Sequence, residues 1–140
     1  MLTTVSLART ANPVCHRILL ADDNGLLRTA VQGMIGLLGH LAEAVSNGRE
    51  AVEQAARVEY DIIFLDLQMP EMGGIEAASM LRRGRTEGRP WLIALSADDG
   101  GVVDHRAAGL DDFVAKPIRM DDLRRIFRRY DSRGRGRDPT

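Results

Sequence analysis

Residues 61–66 read Asp-Ile-Ile-Phe-Leu-Asp, and this stretch decides the fold class. Its centre is a continuous apolar run in which β-branched and aromatic residues predominate, a composition that favours a β-strand. A strand without polar alternation is typical of a parallel sheet that is covered on both faces. The run ends at Asp66, so this carboxylate is predicted to lie at the carboxyl end of a buried strand.

On both sides of this stretch, short apolar runs alternate with segments of helical periodicity. Four further strands are predicted at 17–21, 41–45, 91–95 and 112–115. Helices are predicted at 25–38, 49–58, 75–83, 100–109 and 120–130, with Asn24 as the N-cap and Gly39 as the stop of the first. Five strands alternating with five helices indicate a single doubly wound α/β domain.

Length and composition exclude several classes of protein. The chain has 140 residues, which suits one domain, with 44% hydrophobic and 28% charged residues. A formal net charge of −1 excludes a nucleic-acid binder that is basic over its whole length. The single cysteine, Cys15, excludes an intramolecular disulfide and a cysteine-rich zinc site, and it fits a reducing, intracellular compartment. No apolar run approaches the ~18 residues that a membrane-spanning helix needs.

The folded domain is expected to occupy residues 15–131. Residues 1–14 contain no apolar block of signal-peptide length and are predicted to form a flexible leader. Residues 132–140 are rich in arginine and glycine and are predicted to form a flexible tail, because they offer little to a core.

Carboxylates stand where two of the predicted strands end. Asp22 and Asp23 follow the first strand, and Asp66 ends the third. Open parallel sheets bind ligands at the carboxyl ends of their strands, near the switch point in strand order. If the first and third strands are neighbours, three negative charges share one crevice, and their repulsion requires a cation. A hard divalent ion with oxygen ligands, Mg²⁺ in the first place, is the expected partner.

Two more predicted strand ends carry complementary groups. Ser96 follows the fourth strand with a hydroxyl, and Lys116 follows the fifth strand with an ammonium group. Lys116 is the only lysine among 19 basic residues, so a compact ammonium stands where arginine is used everywhere else. A metal ion on the carboxylates, with a hydroxyl and an ammonium for phosphoryl oxygens, supplies most of what phosphoryl transfer requires. One of the carboxylates can then act as the nucleophile.

Six stretches in this order resemble the receiver domain of two-component response regulators. They are Ile18–Asn24, Asn47–Ala51, Asp66–Pro70 with Gly74, Ala94–Ala97, Ala108–Phe113 and Lys116–Ile118. The resemblance covers roughly His16 to Tyr130, and the residues of these motifs are most similar to those of receivers of hybrid sensor histidine kinases. It implies a flavodoxin-like parallel sheet with the strand order 2-1-3-4-5 and five helices.

The resemblance also implies a role for each residue at the predicted strand ends. Asp66 is the phosphate acceptor. The ligands of Mg²⁺ are Asp22, Asp23, Asp66 and the main-chain carbonyl of Gln68. Lys116 and Ser96 bind the phosphoryl group, and Phe113 turns inward when Ser96 moves toward it.

The partners that the resemblance implies are a histidine kinase, a histidine phosphotransfer domain, or both. The chain is either a stand-alone receiver or part of a larger hybrid kinase, expected in the cytoplasm and without membrane contact. It accepts a phosphoryl group and loses it by self-dephosphorylation, rather than acting as an independent metabolic enzyme. The fourth helix, fifth strand and fifth helix, from about Asp98 to Tyr130, are the expected output face.

Two features depart from the usual receiver pattern. Gly73 stands where the family often has aspartate, which should weaken only the local turn. Ser96 and Lys116 are 20 residues apart, a short interval, so the fourth helix is expected to be short, shifted or mobile.

Other functions remain open at this point. A Mg²⁺-dependent aspartyl phosphohydrolase is one alternative, but it needs an acid two residues after the nucleophile, where this chain has Gln68, which cannot transfer protons. A degenerate receiver that acts only as a protein-interaction module is the other.

Two further features of the sequence, an arginine-rich segment and three histidines, are given structural interpretations. Seven arginines and one acidic residue lie between Leu123 and Arg137, but a solvated helix face explains them, and nucleic acid is an unlikely partner. The histidines His16, His40 and His105 lack the spacing of metal ligands and are interpreted as structural.

Overall fold

The computed structural model describes residues 15–83, 90–97 and 109–137, the last four as backbone only. The strands are β1 (Arg17–Ala21), β2 (Leu41–Val45), β3 (Ile62–Asp66), β4 (Trp91–Ser96) and β5 (Asp112–Ala115). The described helices are α1 (Gly25–Leu37), α2 (Gly48–Arg57), α3 (Gly74–Arg83) and α4 (Met120–Arg137). The predicted leader and the helix predicted from Gly100 lie outside the described residues.

The five strands form one parallel sheet in the order β2-β1-β3-β4-β5. The predicted fold class is therefore confirmed, with four of the five expected helices in the described part of the chain. Because Ala21 of β1 pairs with Leu65 of β3, the residues that follow them in the chain reach the same edge of the sheet.

Helices cover both faces of the sheet, as the apolar character of β3 predicted. All five residues of β3 are buried. Ile62 and Phe64 pack on the face that α1 and α4 cover, and Ile63 and Leu65 pack on the face that α2 and α3 cover. The helices contribute Val31, Ile35, Leu123, Ile126 and Phe127 to the first face, and Ala51, Ala55, Ala77, Ala78 and Leu81 to the second.

The last helix is longer than the sequence predicted. The expected helix ended at Tyr130, whereas α4 continues to Arg137. The flexibility expected of residues 132–140 stays a prediction. The guanidinium of Arg133 lies 4.6 Å from the ring centroid of Tyr130 and 5.8 Å from that of Trp91. These cation–π contacts pack the helix beyond its last apolar side chain, which is why apolar periodicity alone ended it too early.

A polar cluster joins the amino-terminal edge of the sheet to α4. The Nε2 atom of the buried His16 lies 2.8 Å from Asp131 Oδ1. The backbone N–H of His16 donates to His40 Nδ1 at 3.0 Å, and the two imidazole rings stack with centroids 4.9 Å apart. Since His40 accepts this bond through Nδ1, its ring must be neutral for the cluster to form. His105 lies outside the described residues.

Close backbone approach requires glycine at the start of α3. A Cβ atom on Gly74 would lie 2.5 Å from the main-chain oxygen of Asp66, a distance that real side chains do not tolerate. Gly33, in the middle of α1, has no atom within 4 Å of the position that its Cβ would take. The two glycines therefore form a matched pair, one constrained by packing and one not.

Gly74→Ala is expected to lower the free energy of unfolding by about 1–3 kcal/mol, because α3 must shift away from the end of β3. Gly33→Ala is the control, and it should raise the same quantity by about 0.5–1 kcal/mol, because alanine is the better helix former. Urea unfolding of the two variants measures both changes. A Gly74→Ala variant as stable as the native chain would contradict the packing argument.

The stability of the fold is expected to fall on acidification through His40. Burial first, and then the charge of His16, hold the pKa of His40 below its ordinary value of 6.5, although Asp131 and Asp61 act in the opposite direction. The unfolded chain therefore binds the proton more readily, so this contribution is complete above pH 6.5 and is lost as pH falls below it.

Urea unfolding between about pH 8 and pH 5.5 measures this dependence. His40→Asn is the comparison, because it removes the titrating ring and keeps a side chain that can accept a hydrogen bond. The variant should have a shallower loss of stability over this range, and identical slopes for the two proteins would exclude His40 as the cause.

Candidate functional site

The carboxyl ends of four strands bring polar side chains to one edge of the sheet. Asp22 directly follows β1, Asp66 is the last residue of β3, and Ser96 is the last residue of β4. Lys116 directly follows β5. Because β1, β3, β4 and β5 are successive neighbours in the sheet, these four residues are brought to the same crevice.

Three carboxylates converge in this crevice. One oxygen from each of Asp22, Asp23 and Asp66 can be chosen so that all three lie within 4.8 Å of one another. Asp22 is fully buried and Asp66 is 4% exposed, whereas Asp23 faces solvent. The cluster is thus a buried pair of carboxylates with a third at its open side.

Backbone amides orient the two buried carboxylates. Asp22 Oδ1 accepts from the N–H of Asn24 at 2.9 Å, and Asp66 Oδ1 accepts from the N–H of Gln68 at 3.0 Å. Each bond occupies one oxygen and leaves the other directed to the crevice. The side chain of Asn24 also accepts from the first amides of α1, as the predicted N-cap, so the turn after β1 is fixed by the helix that follows it.

Lys116 bridges the buried carboxylates. Its Nζ atom lies 3.1 Å from Asp22 Oδ2 and 3.0 Å from Asp66 Oδ2. Burial lowers the pKa of Lys116, but its interactions with Asp66 and Asp22 outweigh this effect, and the pKa is raised above its ordinary value. The side chain therefore carries a full positive charge at neutral pH.

One ammonium does not compensate three carboxylates. Burial raises the pKa of Asp66, and the charge of Asp22 adds to this rise, against the opposing effects of the Gln68 amide and Lys116. Asp22 Oδ2 is buried and accepts no hydrogen bond of good geometry, even though Lys116 Nζ is close to it. A buried anionic oxygen with spare capacity, next to two more carboxylates, fits a hard divalent cation such as Mg²⁺.

The other residues singled out from the sequence lie around this cluster. The N–H of Lys116 donates to the main-chain oxygen of Ser96 at 2.8 Å, so the ends of β4 and β5 are held side by side. Gln68 is exposed in the loop after β3. Phe113 lies in β5, half-buried, against the core that α2 and α3 cover.

Two arginines that support the site were missed by the sequence analysis. Arg28 Nη1 donates to the main-chain oxygen of Asp22 at 2.8 Å, which ties α1 to the end of β1. Arg82 donates to Asp111 Oδ2 at 2.5 Å and to the main-chain oxygen of Gly109 at 2.9 Å, just before β5. The sequence offered a signal for Arg28, because it stands one turn after the N-cap and so close to Asp22. It offered none for Arg82, because its partners are distant in the chain.

Comparisons with known proteins agree with this architecture. A family model described as the response regulator receiver domain matches residues 18–128. A hybrid signal transduction histidine kinase of Dictyostelium discoideum is 37% identical over 122 residues, which are 81% of this chain but 4% of the kinase. A two-component response regulator of Arabidopsis thaliana is 34% identical over 78% of this chain and 79% of its own length.

A solved structure gives the same result in three dimensions. The receiver domain of a sensor histidine kinase from Pseudomonas aeruginosa is 33% identical, with a TM-score of 0.74 over 84% of this chain and 98% of that domain. That structure has a magnesium ion coordinated in its active-site cleft. The expected similarity to receivers of hybrid kinases is thus confirmed, although this chain spans only a small part of the hybrid kinases that it matches.

No helix in the described ranges is both long and apolar enough to cross a membrane. The sheet order, the acidic crevice at the ends of β1 and β3, and the match of 111 residues to one family model all point the same way. The chain belongs to the family of response regulator receiver domains of two-component signalling.

Proposed function

We propose that this domain takes a phosphoryl group from a phosphohistidine of a partner protein onto Asp66, in a Mg²⁺-dependent reaction. The observation that carries the proposal is the position of Asp66, whose buried carboxylate contacts Lys116 Nζ and has an oxygen within 4.8 Å of oxygens of Asp22 and Asp23. Phosphoryl transfer needs charge compensation and positioning more than it needs covalent chemistry, and this crevice supplies both.

Among the three carboxylates, Asp66 is best placed to be the acceptor. Asp22 is fully buried, so an incoming phosphoryl group cannot reach it without displacing the residues around it. Asp23 is exposed and has no cationic side chain among its described contacts. Asp66 ends the central strand, between β1 and β4, so it lies beside both Asp22 after β1 and Ser96 at the end of β4.

The transfer is a displacement at phosphorus. A carboxylate oxygen of Asp66 attacks the phosphorus atom, and the new O–P bond forms as the N–P bond of the phosphohistidine breaks. The electron pair of the broken bond stays on the imidazole nitrogen of the partner. Lys116 neutralises negative charge on the phosphoryl oxygens, and the hydroxyl of Ser96 donates to one of them.

The cation that the crevice fits has a defined set of ligands. Asp22, Asp23 and Asp66 would hold Mg²⁺ through carboxylate oxygens, together with the main-chain carbonyl of Gln68. When bound, the ion compensates the excess negative charge and polarises the phosphoryl group. The buried oxygen of Asp22, which accepts no well-formed hydrogen bond, supports this assignment.

The phosphorylated domain is proposed to signal through β5 and the helices beside it. A phosphoryl group adds roughly −1.5 to −2 charges at the carboxyl edge of the sheet, which draws Ser96 and Lys116 toward Asp66. Phe113 lies in β5, the strand that directly precedes Lys116, and its ring turns inward as Ser96 moves. The output face extends from about Asp98 to Tyr130 and includes residues outside the described part of the chain.

The partner chemistry follows from the same reaction. The donor is a histidine kinase or a histidine phosphotransfer domain, and hydrolysis of the acyl phosphate resets the domain. Similarity to receivers of hybrid histidine kinases supports a place in a phosphorelay, as part of a larger kinase or beside one. Such a reaction takes place in the cytoplasm.

Incubation with acetyl phosphate and Mg²⁺ is expected to add one phosphoryl group to the native chain and none to Asp66→Asn, because the amide is not a nucleophile. Asp121→Asn is the control, since this carboxylate is 91% exposed in α4 and its ion pair is with Arg124 rather than with a residue of the crevice. Intact-mass spectrometry measures the product. Equal labelling of the native chain and Asp66→Asn would remove Asp66 as the acceptor.

Asp23→Asn distinguishes two effects of this carboxylate, its repulsion of the other two carboxylates and its binding of Mg²⁺. In the absence of metal, the variant should be more stable than the native chain, because one of three mutually repelling carboxylates is gone. It should bind Mg²⁺ at least about tenfold more weakly, because a ligand is lost. Calorimetric titration and thermal unfolding with and without Mg²⁺ measure the two effects, and unchanged Mg²⁺ affinity would exclude Asp23 as a ligand.

A further inference from the structure

A basic groove lies at the opposite edge of the sheet from Asp66. Its described lining residues are Trp91, Arg128, Arg129, Ser132 and Arg133, and its volume is about 580 Å³. Trp91 is the first residue of β4 and the other four belong to the last turns of α4. We call this feature the Trp91 groove, and none of its residues takes part in the site at the carboxyl edge.

Within the part of the chain that the structure describes, the groove has more positive than negative charge. Asp112 pairs with Arg129, and this one carboxylate is shared with Arg125. Arg128 forms no ion pair with any residue in the described ranges. Asp131, on the same helix, is turned to the other side, where it pairs with His16.

Arg133 supports the same conclusion. Its Nε atom is buried and has no hydrogen-bond partner among the described residues. Its guanidinium is held over the rings of Tyr130 and Trp91 rather than by a carboxylate. A guanidinium that is stacked on aromatic rings keeps its charge, and this charge attracts an anion to the groove.

Trp91 gives the groove an apolar floor between two guanidinium groups. The Cζ atoms of Arg129 and Arg133 lie 5.5 and 5.8 Å from its ring centroid. Because the cation–π contacts orient both side chains before any ligand arrives, less conformational entropy is lost on binding. Aromatic and arginine side chains together are also the residues that contribute most to protein interfaces.

The size of the groove favours a short ligand. From Arg128 to Arg133 the helix rises by only about 7.5 Å, at ~1.5 Å per residue. That length accommodates about two carboxylates, whereas electrostatic binding to duplex DNA depends on contacts with many phosphates. We propose that the Trp91 groove binds a short acidic segment of a partner protein, with carboxylates on Arg128 and Arg133 and an aliphatic stem against Trp91.

This proposal is independent of phosphoryl transfer. β4 separates the groove at Trp91 from Ser96 at the carboxyl edge, about 17 Å away at ~3.3 Å per residue. A segment in the groove therefore leaves Asp66 open to its donor.

Trp91 is the only tryptophan in the chain, so its fluorescence reports directly on the groove. The full chain is titrated with a hexaglutamate peptide, which has no fluorophore, at low salt. A saturable change in emission is expected, with a dissociation constant that Arg128→Gln and Arg133→Gln each raise about two- to fivefold. The double variant should raise it about tenfold, and circular dichroism checks that each variant is folded.

Arg57→Gln is the matched control, because this exposed arginine of α2 lies on the other face of the sheet, and it should bind as the native chain does. The proposal is overturned if emission does not saturate, or if Arg57→Gln weakens binding as much as Arg128→Gln. It is also overturned if a short DNA duplex binds more tightly than the peptide at the same salt concentration, since the groove would then serve nucleic acid.

Discussion

Repulsion between buried carboxylates is the constraint on which the site depends. Asp22 and Asp66 cannot separate, because they end neighbouring strands whose ladder pairs Ala21 with Leu65. Burial removes most of the water that would screen them, so each charge needs a compensating group within contact distance. Lys116 supplies one such group, and the remaining excess of negative charge is what makes a divalent cation a favourable addition. The sheet thus creates an electrostatic cost that a bound ion can relieve.

The ammonium that balances these carboxylates directly follows an edge strand. β5 has four residues at the edge of the sheet, and only Val114 among them is buried. Its position is reinforced by long-range contacts: Arg82 donates to Asp111 and Gly109 just before the strand, and Arg125 and Arg129 of α4 pair with Asp112. These contacts are largely shielded, with the Arg82 side chain 17% and the Asp112 side chain 11% exposed, so they hold β5 in place, and the shift of Lys116 that we propose on phosphorylation must work against them.

The sequence was informative where one element determined its own structure. The continuous apolar run of β3 predicted a strand buried on both faces, and the periodicity of α1 with Asn24 predicted a capped helix. The convergence of Asp22 and Asp66 followed from strand order, which the resemblance supplied. Contacts between distant residues gave no such signal: the stacking of Arg133 on Trp91 lengthens α4, and the bonds of Arg82 secure β5. Neither contact leaves a trace in the local pattern of apolar and polar residues from which helices and strands are predicted.

α4 is attached to the sheet at two points along its length, and the two attachments are of the same kind. Near its start, the Arg125 side chain, which is 42% exposed, pairs with Asp112, which is 11% exposed. Near its end, the Asp131 side chain, which is 37% exposed, pairs with His16, which is 8% exposed, at the amino-terminal edge of the sheet. Each pair joins a group that water screens to a partner that is largely buried, so neither attachment yields much more easily than the other. The switch that we propose at Lys116 therefore has to move α4 as a unit or break one of these contacts.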